Sequence, residues 1–459
     1  MRTALLALWA VALCAAPPRT MRLDYYHTGN AAEEHFAFDG AVVEGPWPGN
    51  PERAIDDTNL GKYFFEVRDR KSGRVLYSRG FASMYGEWES TEEARTRWRA
   101  FQESVRFPEP AAPFEVSIAK RDAHNAFRRL WSVAVAPASP EVDRTAPHAA
   151  GKVWAVMHNG EPRDKVDLLL MGDGYTAAEM GKWHRDARRM TELLFAASPF
   201  KERRSQFNVW AIDTPAVESG VSRPSDGVWR HSPLGAAYDA FGSERYVLTF
   251  DNKRLREAAA AAPYEFIEIV VNGRKYGGGG IFNLYATVAA DNSFTPYIFV
   301  HEFGHHFAGL ADEYYTSEVA YTPAAGRPEP WEPNATADPQ AAKWKDLLSP
   351  GVPLPTPWPK EAFEAYQKQV QARRRAIRAA HRPEAEMEAL FREERAHETK
   401  LLGGSAHAGQ TGAFEGALYE ARGYYRPEVD CIMFSRDEVG FCPVCRRAIE
   451  RVIALYAGR

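Results

Sequence analysis

The stretch from His301 to Tyr315 reads HEFGHHFAGLADEYY, and it is the most informative part of the sequence about the fold. Pro296 lies just before it, where its fixed φ and missing N–H donor suit the first turn of a helix, with Thr295 as N-cap. An aromatic residue then recurs every four positions, at Phe299, Phe303 and Phe307. This spacing predicts a largely buried helix from Pro296 to about Ala308.

The predicted helix carries a His-Glu-x-x-His pattern formed by His301, Glu302 and His305. Residues four apart share one helix face, so both imidazoles can reach a single ion. Zinc accepts imidazole ligands, and in catalytic sites it keeps one position open for water or substrate. Glu302 lies beside the histidines, where it can act as general base. His306 points elsewhere on the helix, and we expect a structural role for it.

A third zinc ligand is expected soon after the helix. Gly309 fits a left-handed cap that turns the chain back, and Asp312 and Glu313 follow it. In the extended metzincin motif the chain also turns at a glycine and returns a third ligand. Here the glycine comes one residue later and a carboxylate replaces the third histidine. The spacing favours Asp312 as the ligand, with Glu313 as the alternative; a supporting role for Asp312 beside the histidines stays open.

The composition is that of a folded protein without the charge pattern of a nucleic-acid-binding protein. The 459 residues exceed the usual size of a single core and predict two or three domains. Apolar residues make up 45% of the chain and charged residues 26%, with a net charge of −4. The charges are spread along the chain, so we expect no nucleic-acid partner.

Residues 1–20 have the features of a secretory signal peptide. Arg2 precedes an apolar run from Ala4 to Ala16, and small residues follow. The run is too short for a comfortable membrane span, and no later segment approaches one, so we expect no transmembrane segment in the mature chain. We therefore expect a secreted or cell-envelope protein, either periplasmic or extracellular. Two alternatives are that Met21 is the true first residue and that Cys14 is an acylated lipoprotein anchor.

Residues 21–138 predict an N-terminal β-sandwich domain. Turn residues separate short runs of apolar and aromatic residues, which is typical of a sandwich. The predicted strands are Tyr63–Val67, Val75–Phe81, Phe114–Ile118 and Trp131–Val135. Residues 139–151 contain proline and alanine without periodicity and predict a linker.

Residues 152–459 predict an α/β zinc-peptidase domain. Thr176–Glu179 matches a capping box that opens a helix to about Ala197. Strands are predicted around it, and a strand–helix–strand order favours an α/β layer. The predicted strands are Val166–Met171, Phe207–Ile212, Tyr246–Phe250, Phe266–Val271 and Ile281–Ala290. The four glycines Gly277–Gly280 indicate either a mobile surface loop or a functional edge with a closely approached backbone.

Two further features lie near the C-terminal end. Residues 360–402 are rich in Ala, Glu, Arg and Gln and are interrupted by Pro383, which predicts a helical insertion of two exposed helices. We expect a solvated surface element there, with a partner-binding arm as the alternative. Once a signal peptide is removed, Cys431, Cys442 and Cys445 remain. An odd number predicts one disulfide with a free thiol, or a metal site.

Several motifs together resemble the bacterial IgA-type metallopeptidase family, a group of zinc peptidases related to metzincins. The resemblance covers nearly the whole chain after residue 20, apart from the insertion at 360–402. Besides HEFGHHFAGLADEYY, the motifs are EGPWPGNP (44–51), DDTNLGKYFFEV (56–67), WEPNATAD (331–338), KWKDLL (343–348), PLPTPW (353–358) and GAFEGALYEARGYYRPEVDCIM (412–433).

The resemblance implies a set of site roles. His301, His305 and Asp312 hold Zn²⁺, and Glu302 is the general base. Met433 resembles the methionine turn that lies beneath the metal in metzincins, with an ordinary core methionine as the alternative. The predicted strand Ile281–Ala290 is then the edge on which an extended substrate adds as a strand.

The resemblance also bears on the tyrosines and cysteines near Met433. A tyrosine there can stabilise the oxyanion, and each candidate is equally compatible with a structural role. The candidates are Tyr419, Tyr424 and Tyr425. The three cysteines resemble a local cross-link or a small metal knot. With only three thiols, a disulfide is preferred over a secondary four-ligand zinc site.

The predicted fold class is α+β and multidomain, a β-sandwich followed by a metzincin-like α/β peptidase domain. The predicted function is a secreted zinc metalloendopeptidase that hydrolyses internal bonds of a protein or peptide substrate, with immunoglobulin A as a candidate. One alternative is a surface adhesin or glycan-binding protein in which zinc is structural. Another is a metal-dependent hydrolase of non-peptide amides.

Overall fold

The computed structural model describes residues 18–147, 151–317, 319–322 and 326–457. Cys14 and most of the predicted signal peptide lie outside the described residues, as do three residues of the predicted linker. Within the described residues the chain has the predicted α+β character, with several sheets and an N-terminal sheet region. None of the described helices is both long and apolar enough to cross a membrane.

The N-terminal region is built from strands that form two facing sheets. Its elements are β1 (Arg19–Gly29), β2 (Glu34–Pro46), β3 (Tyr63–Asp69), β4 (Val75–Phe81), α1 (Met84–Trp88), β5 (Arg99–Pro108), β6 (Phe114–Arg121), β7 (Phe127–Val135) and β8 (Val142–Asp143). The strands pair in the order β5-β1-β2-β8 in one sheet and β4-β3-β6-β7 in the other. Leu23 and Val43 from the first sheet share a core with Phe65 and Val116 from the second. This is the arrangement of a sandwich.

The second region has a central, mostly parallel sheet. Its elements are β9 (Val153–Met157), β10 (Val166–Asp173), α2 (Met180–Leu194), β11 (Phe207–Ile212), α3 (Asn252–Ala259), β12 (Phe266–Val271), β13 (Gly278–Ile281), β14 (Tyr285–Ala289) and α4 (Thr295–Ala308). The sheet order is β13-β14-β12-β10-β11-β9, with antiparallel strands at both ends. The predicted capping box at Thr176 and Glu179 is present at the start of the α2 segment. Helix α4 packs on β13 and β14, which brings the His-Glu-x-x-His pattern to one edge of the sheet.

Two strand predictions in this region are wrong. Residues Tyr246–Phe250 form only isolated bridges, from Tyr246 to Gly278 and from Leu248 to Ala237. The predicted strand Ile281–Ala290 has the wrong extent: only Tyr285–Ala289 within it forms one strand, β14, whereas Ile281 is the last residue of β13, which the preceding glycines form and which pairs antiparallel with β14. The edge of the sheet is therefore β13, and β14 lies inside.

The glycines of β13 are explained by close packing. A Cβ atom on Gly280 would lie 2.2 Å from the carbonyl oxygen of Glu302, and one on Gly278 would lie 2.7 Å from Cγ2 of Ile298. Only a strand without side chains at these positions can lie this close to α4. The run is a closely packed edge strand, not a surface loop.

Helix α4 begins slightly differently from the prediction. Thr295 is its first residue, and Phe294 occupies the N-cap position. The Thr295 hydroxyl donates to carbonyl oxygens in the preceding turn, including that of Ala289. At the other end Gly309 has φ of 59° and ψ of 36°, which confirms the predicted left-handed cap.

The insertion and the C-terminal part complete the second region. The elements are α5 (Lys360–Ala379), α6 (Glu384–Gly403), β15 (Phe414–Ala417), β16 (Glu420–Arg426) and α7 (Pro443–Tyr456). The predicted helical pair at 360–402 is present as α5 and α6. It is more than a solvated element, because the buried face of the pair lines a small pocket together with His301 and Glu302. Its buried residues include Phe363, Gln367, Val370, Leu390, Phe391 and Glu394.

The two regions pack against each other. Met84, Trp88 and Phe101 of the N-terminal region belong to the same apolar cluster as the central sheet. Ala82 donates its N–H to the carbonyl oxygen of Phe282, 2.9 Å away. The N-terminal region is thereby held against the edge of the sheet where β13 lies.

Candidate metal centre

Helix α4 brings His301 and His305 together at the edge of the central sheet. Their Nε2 atoms are 3.1 Å apart. The opposite ring nitrogens donate to main-chain carbonyl oxygens, Nδ1 of His301 to Ile432 at 2.8 Å and Nδ1 of His305 to Leu310. Such bonds fix the tautomer and orientation of a ligating imidazole. Both Nε2 atoms are therefore free to bind one ion.

Asp312 is the carboxylate that joins the two histidines. After the turn at Gly309, its Oδ1 lies 3.0 Å from Nε2 of His301 and 3.1 Å from Nε2 of His305. Two ligand atoms about 2.05 Å from a tetrahedral zinc are about 3.3 Å apart. The observed separations are a few tenths of an ångström shorter, so this donor set fits a tetrahedral ion. Glu313, the alternative ligand, points away into a different buried cluster.

The charges of these groups are strongly linked in the absence of a metal. Burial alone would lower the pKa of His305, but the Asp312 carboxylate raises it to about 9. Burial would raise the pKa of Asp312, yet the two histidines hold it well below its usual range. Metal binding needs neutral imidazoles and releases their protons. An ion would thus replace the proton that His305 otherwise holds beside the Asp312 carboxylate.

Glu302 lies beside the histidines and lines the cleft in front of them. One of its carboxylate oxygens is within 4.8 Å of a ring nitrogen of each histidine. It is half-buried and packs against β13, where its Cγ would lie 3.1 Å from a Cβ on Gly278. Burial raises the pKa of Glu302, although the histidines oppose the shift. A carboxylate with a raised pKa, next to an open ligand position, suits proton transfer.

Met433 packs against helix α4 at Gly304, which lies between the two histidines in sequence. It is fully buried, and its Sδ would be 3.1 Å from a Cβ on Gly304. The absence of a side chain at Gly304 allows this approach. The Met433 carbonyl oxygen also accepts the N–H of Glu313 at 2.9 Å. The segment that resembles a methionine turn therefore touches both the helix and the returning chain.

The tyrosines named from the sequence separate into different roles. Tyr419 donates its hydroxyl to Oδ2 of Asp312, which makes it the one that touches the ligand set. Tyr424 lines the cleft, but its hydroxyl donates to the carbonyl oxygen of Pro328. The main chain of Tyr425 pairs with Thr336 in both directions. These contacts favour Tyr419 as the tyrosine that supports the metal centre. Of the three candidates, only Tyr419 has a hydroxyl that reaches a candidate ligand.

His306 has the structural position that its direction on the helix predicts. Its Nδ1 donates to the carbonyl oxygen of Ile281, and its Nε2 accepts the N–H of Ile267. Burial lowers the pKa of His306 to about 3. The ring thus ties α4 to the sheet in its neutral form.

The cleft in front of the centre has a volume of about 540 Å³, and both regions line it. Sequence reasoning missed Arg245, whose Nη2 lies 3.0 Å from the hydroxyl oxygen of Tyr314 at the cleft wall. Arg245 lies in a segment without regular structure, so no periodic signal marked it. Tyr314 follows the candidate ligands directly and could have been found from that spacing. The N-terminal region contributes Lys62 and Glu87 to the opposite wall.

The three cysteines form a buried cluster beside Glu313 and do not form the preferred disulfide. Cys431, Cys442 and Cys445 are all free thiols. The Sγ atoms of Cys431 and Cys445 are 3.9 Å apart, far beyond the bonded distance of about 2.05 Å. The disulfide prediction is therefore wrong for this structure. The physical reason is that the thiols point toward a common centre that Glu313 also faces.

These features define a centre that can hold a metal ion next to a half-buried carboxylate, at the wall of an open cleft. A comparison with known families agrees with this class. The sequence profile described as IgA Peptidase M64 matches residues 155–453, and that described as Peptidase M64 N-terminus matches residues 15–132. The chain belongs to the IgA peptidase M64 family, a family of metallopeptidases. A search of curated proteins found no significant match.

Proposed function

We propose that this protein is a zinc metalloendopeptidase with His301, His305 and Asp312 as zinc ligands and Glu302 as general base. The observation that carries the proposal is the convergence of three ligand atoms within 3.1 Å of one another at an open cleft. Structural zinc sites are closed by four protein ligands, whereas catalytic sites have three and keep one position open. The packing of Met433 against the helix that carries both histidines is compatible with the methionine turn that the sequence predicts.

The residues divide the chemical work between them. A bound zinc ion supplies Lewis acidity and lowers the pKa of water. Glu302 accepts the proton of the attacking water and later donates it to the leaving amine. Tyr419 holds Asp312 in place through Oδ2, while Ile432 and Leu310 hold the imidazoles. Arg245 and Tyr314 line the cleft and are the candidate donors to charge that develops on the carbonyl oxygen.

The edge of β13 offers a short segment of main chain to a substrate. Gly278 is already paired on its outer side, since its N–H donates to Arg245 and its carbonyl oxygen accepts the N–H of Val247. The alternation of an antiparallel ladder turns the N–H and C=O of Gly280 to the same outer side. Ala82 covers the next outward carbonyl, at Phe282. Gly280 therefore lies between two positions whose outward main-chain groups are already bonded. We propose that one substrate residue pairs with Gly280.

The proposal for location rests on the sequence of residues 1–20 alone. A signal peptide would export the chain, and the active enzyme would then act outside the cytoplasm. Lipoprotein anchoring through Cys14 is the alternative. Fractionation of the producing cells, with mass spectrometry of the mature N-terminus, distinguishes these outcomes.

The first experiment is cleavage of a peptide library whose members are acetylated and amidated, using the purified full chain. Blocked ends exclude exopeptidases, so cleavage demonstrates an endopeptidase. Replacing Glu302→Gln should lower kcat/KM by about 10²- to 10⁴-fold while the metal stays bound. Immunoglobulin A, which the family description names, is the first protein substrate to test by gel.

Several outcomes would contradict the proposal. Full activity in Glu302→Gln would show that Glu302 is not the general base. Loss of the metal in that variant would show that Glu302 is a ligand instead. A chain that binds zinc but cleaves no peptide would favour the adhesin alternative. Cleavage of cell-wall amides without cleavage of peptides would favour the other hydrolase.

A further inference from the structure

We propose that Glu313, Cys431, Cys442 and Cys445 form a second metal site that binds zinc and has a structural role. The site is separate from the catalytic centre and uses none of its ligands. Ligand atoms of all four residues lie within 4.8 Å of one another, and all four residues are buried. Four protein ligands without an open position are the mark of a structural zinc site.

The distances within this cluster fit zinc. Two sulfur atoms about 2.3 Å from a tetrahedral zinc lie about 3.8 Å apart, and a sulfur and a carboxylate oxygen lie about 3.5 Å apart. Sγ of Cys431 and Sγ of Cys445 are 3.9 Å apart. Sγ of Cys445 and Oε1 of Glu313 are 3.5 Å apart. Both values match a shared tetrahedral ion. The sulfur–sulfur distance is also far longer than a covalent S–S bond.

The buried carboxylate of Glu313 needs a cation close to it. Its side chain is completely buried, and its Oε2 has no hydrogen-bond partner among the described residues. Its other oxygen accepts from Nδ2 of Asn334 at 2.9 Å. The nearby Arg426 donates instead to the carbonyl oxygens of Glu415, Gly416 and Val429. A buried carboxylate beside three thiols is costly unless a cation neutralises it.

The main chain around the thiols is arranged to accept thiolates. Cys442 is the N-cap of α7, where the helix dipole favours negative charge. Its N–H points to Sγ of Cys431 at 3.4 Å, and the N–H of Cys445 points to Sγ of Cys442 at 3.5 Å. Peptide N–H groups directed at sulfur stabilise the thiolate form that binds metal.

The site links three parts of the chain that surround the catalytic centre. Glu313 directly follows Asp312, and Cys431 directly precedes Ile432, whose carbonyl oxygen holds His301. The third contributor is the start of α7, through Cys442 and Cys445. A metal here would fix the returning chain and the Cys431–Met433 segment relative to each other.

The test begins with the unaltered full chain. Purified protein should contain two zinc ions, and replacement by Co²⁺ should give thiolate-to-cobalt charge-transfer absorption in the near ultraviolet. Bound cobalt without that absorption, whether one ion or two, would overturn the proposal, and so would a chain that binds no ion outside the His301, His305 and Asp312 centre. This measurement needs no variant, so a folding defect cannot obscure it.

Matched variants assign each ion to its site. His305→Ala should lose one ion and keep the charge-transfer absorption, whereas Cys445→Ser should lose one ion and the absorption with it. Glu313→Gln should release this ion to a chelator about 10- to 100-fold faster, and Glu313→Cys should restore slow release. Retention of both ions and of the absorption in Cys445→Ser would also overturn the proposal. Failure of the catalytic proposal would show in peptide cleavage and leave these results unchanged.

Discussion

Asp312 and Glu313 are neighbours in the chain, yet each belongs to a different cluster of ligand side chains. Asp312 joins His301 and His305 at an open cleft, and Glu313 joins three cysteines in the interior. In both clusters the ligand atoms are spaced for a tetrahedral ion. The difference is access, since only the first cluster leaves room for substrate. Accessibility, more than ligand spacing, therefore separates a catalytic centre from a structural one.

The largest effect should follow from replacing the carboxylate of the open site. We expect Asp312→Asn to lower kcat/KM at least about 100-fold, because it weakens the ion that activates water. One of two zinc ions should be lost, as measured by elemental analysis. The exposed Asp346→Asn, whose carboxylate pairs with Arg447, is the control and should keep full activity. Equal zinc content in Asp312→Asn and the wild type, with normal activity, would remove Asp312 from the ligand set.

A second prediction compares the rates at which the two ions leave. A chelator reaches the cleft directly, but it reaches the cysteine cluster only after local opening. An opening free energy of about 2.8 kcal/mol slows release about 100-fold. We therefore expect activity and the first ion to disappear together, followed much later by the second ion. Release of both ions at one rate would mean that the clusters do not differ in access.

A smaller effect should come from Tyr419, which supports a ligand of the open site. Removing its hydroxyl in Tyr419→Phe leaves Oδ2 of Asp312 without this donor, and we expect kcat/KM to fall about tenfold. Tyr424→Phe is the matched control, because its hydroxyl bonds to a main-chain oxygen. Equal rates for the two variants would mean that the contact with Asp312 is not used in catalysis.

The smallest effect concerns a second buried glutamate, Glu34. Unlike Glu313, it is surrounded by side-chain hydrogen-bond donors and needs no metal ion. Glu34 accepts hydrogen bonds from His27, Tyr63 and Lys120. Burial would raise the pKa of Glu34, but His27 and Lys120 lower it to about 2. Because this is below the usual value of 4.5, the stabilisation is present above pH 4.5 and lost as pH falls toward 2.

Glu34→Gln should accordingly reduce the free energy of unfolding by about 1–3 kcal/mol near neutral pH. The difference from the wild type should shrink as pH falls from about 4.5 toward 2. Urea unfolding at a series of pH values measures it, with and without chelator. A difference that does not change with pH would contradict the role given to the Glu34 carboxylate.

The sequence predicted those features that depend on local spacing. The helix α4, its cap at Gly309 and the shared face of His301 and His305 follow from residues within about one helix length. The proximity of Asp312 also follows, because the turn is short. Strands with continuous apolar runs, such as β10 and β12, were predicted for the same reason.

The features that the sequence did not predict depend on contacts between distant segments. Gly277–Gly280 appeared compatible with a loop, because the need for glycine comes from α4, which lies later in the chain. Tyr419 could not be ranked above Tyr424, since only the pairing of its segment with residues 312–314 brings its hydroxyl to Asp312. Glu313 could not be assigned to the cysteines, which lie far along the chain. The helical pair at 360–402 looked exposed because its buried polar residues resemble surface ones.

The hydrogen bond from His301 to Ile432 also has a consequence for protein synthesis. The ribosome completes the His-Glu-x-x-His pattern at His305, before it adds Ile432 and Met433. Until then the imidazole of His301 lacks the carbonyl oxygen that orients it. A partly made chain therefore carries the His-Glu-x-x-His pattern before the group that orients His301 exists, and the metal centre can be completed only when the segment that contains Ile432 has folded onto helix α4.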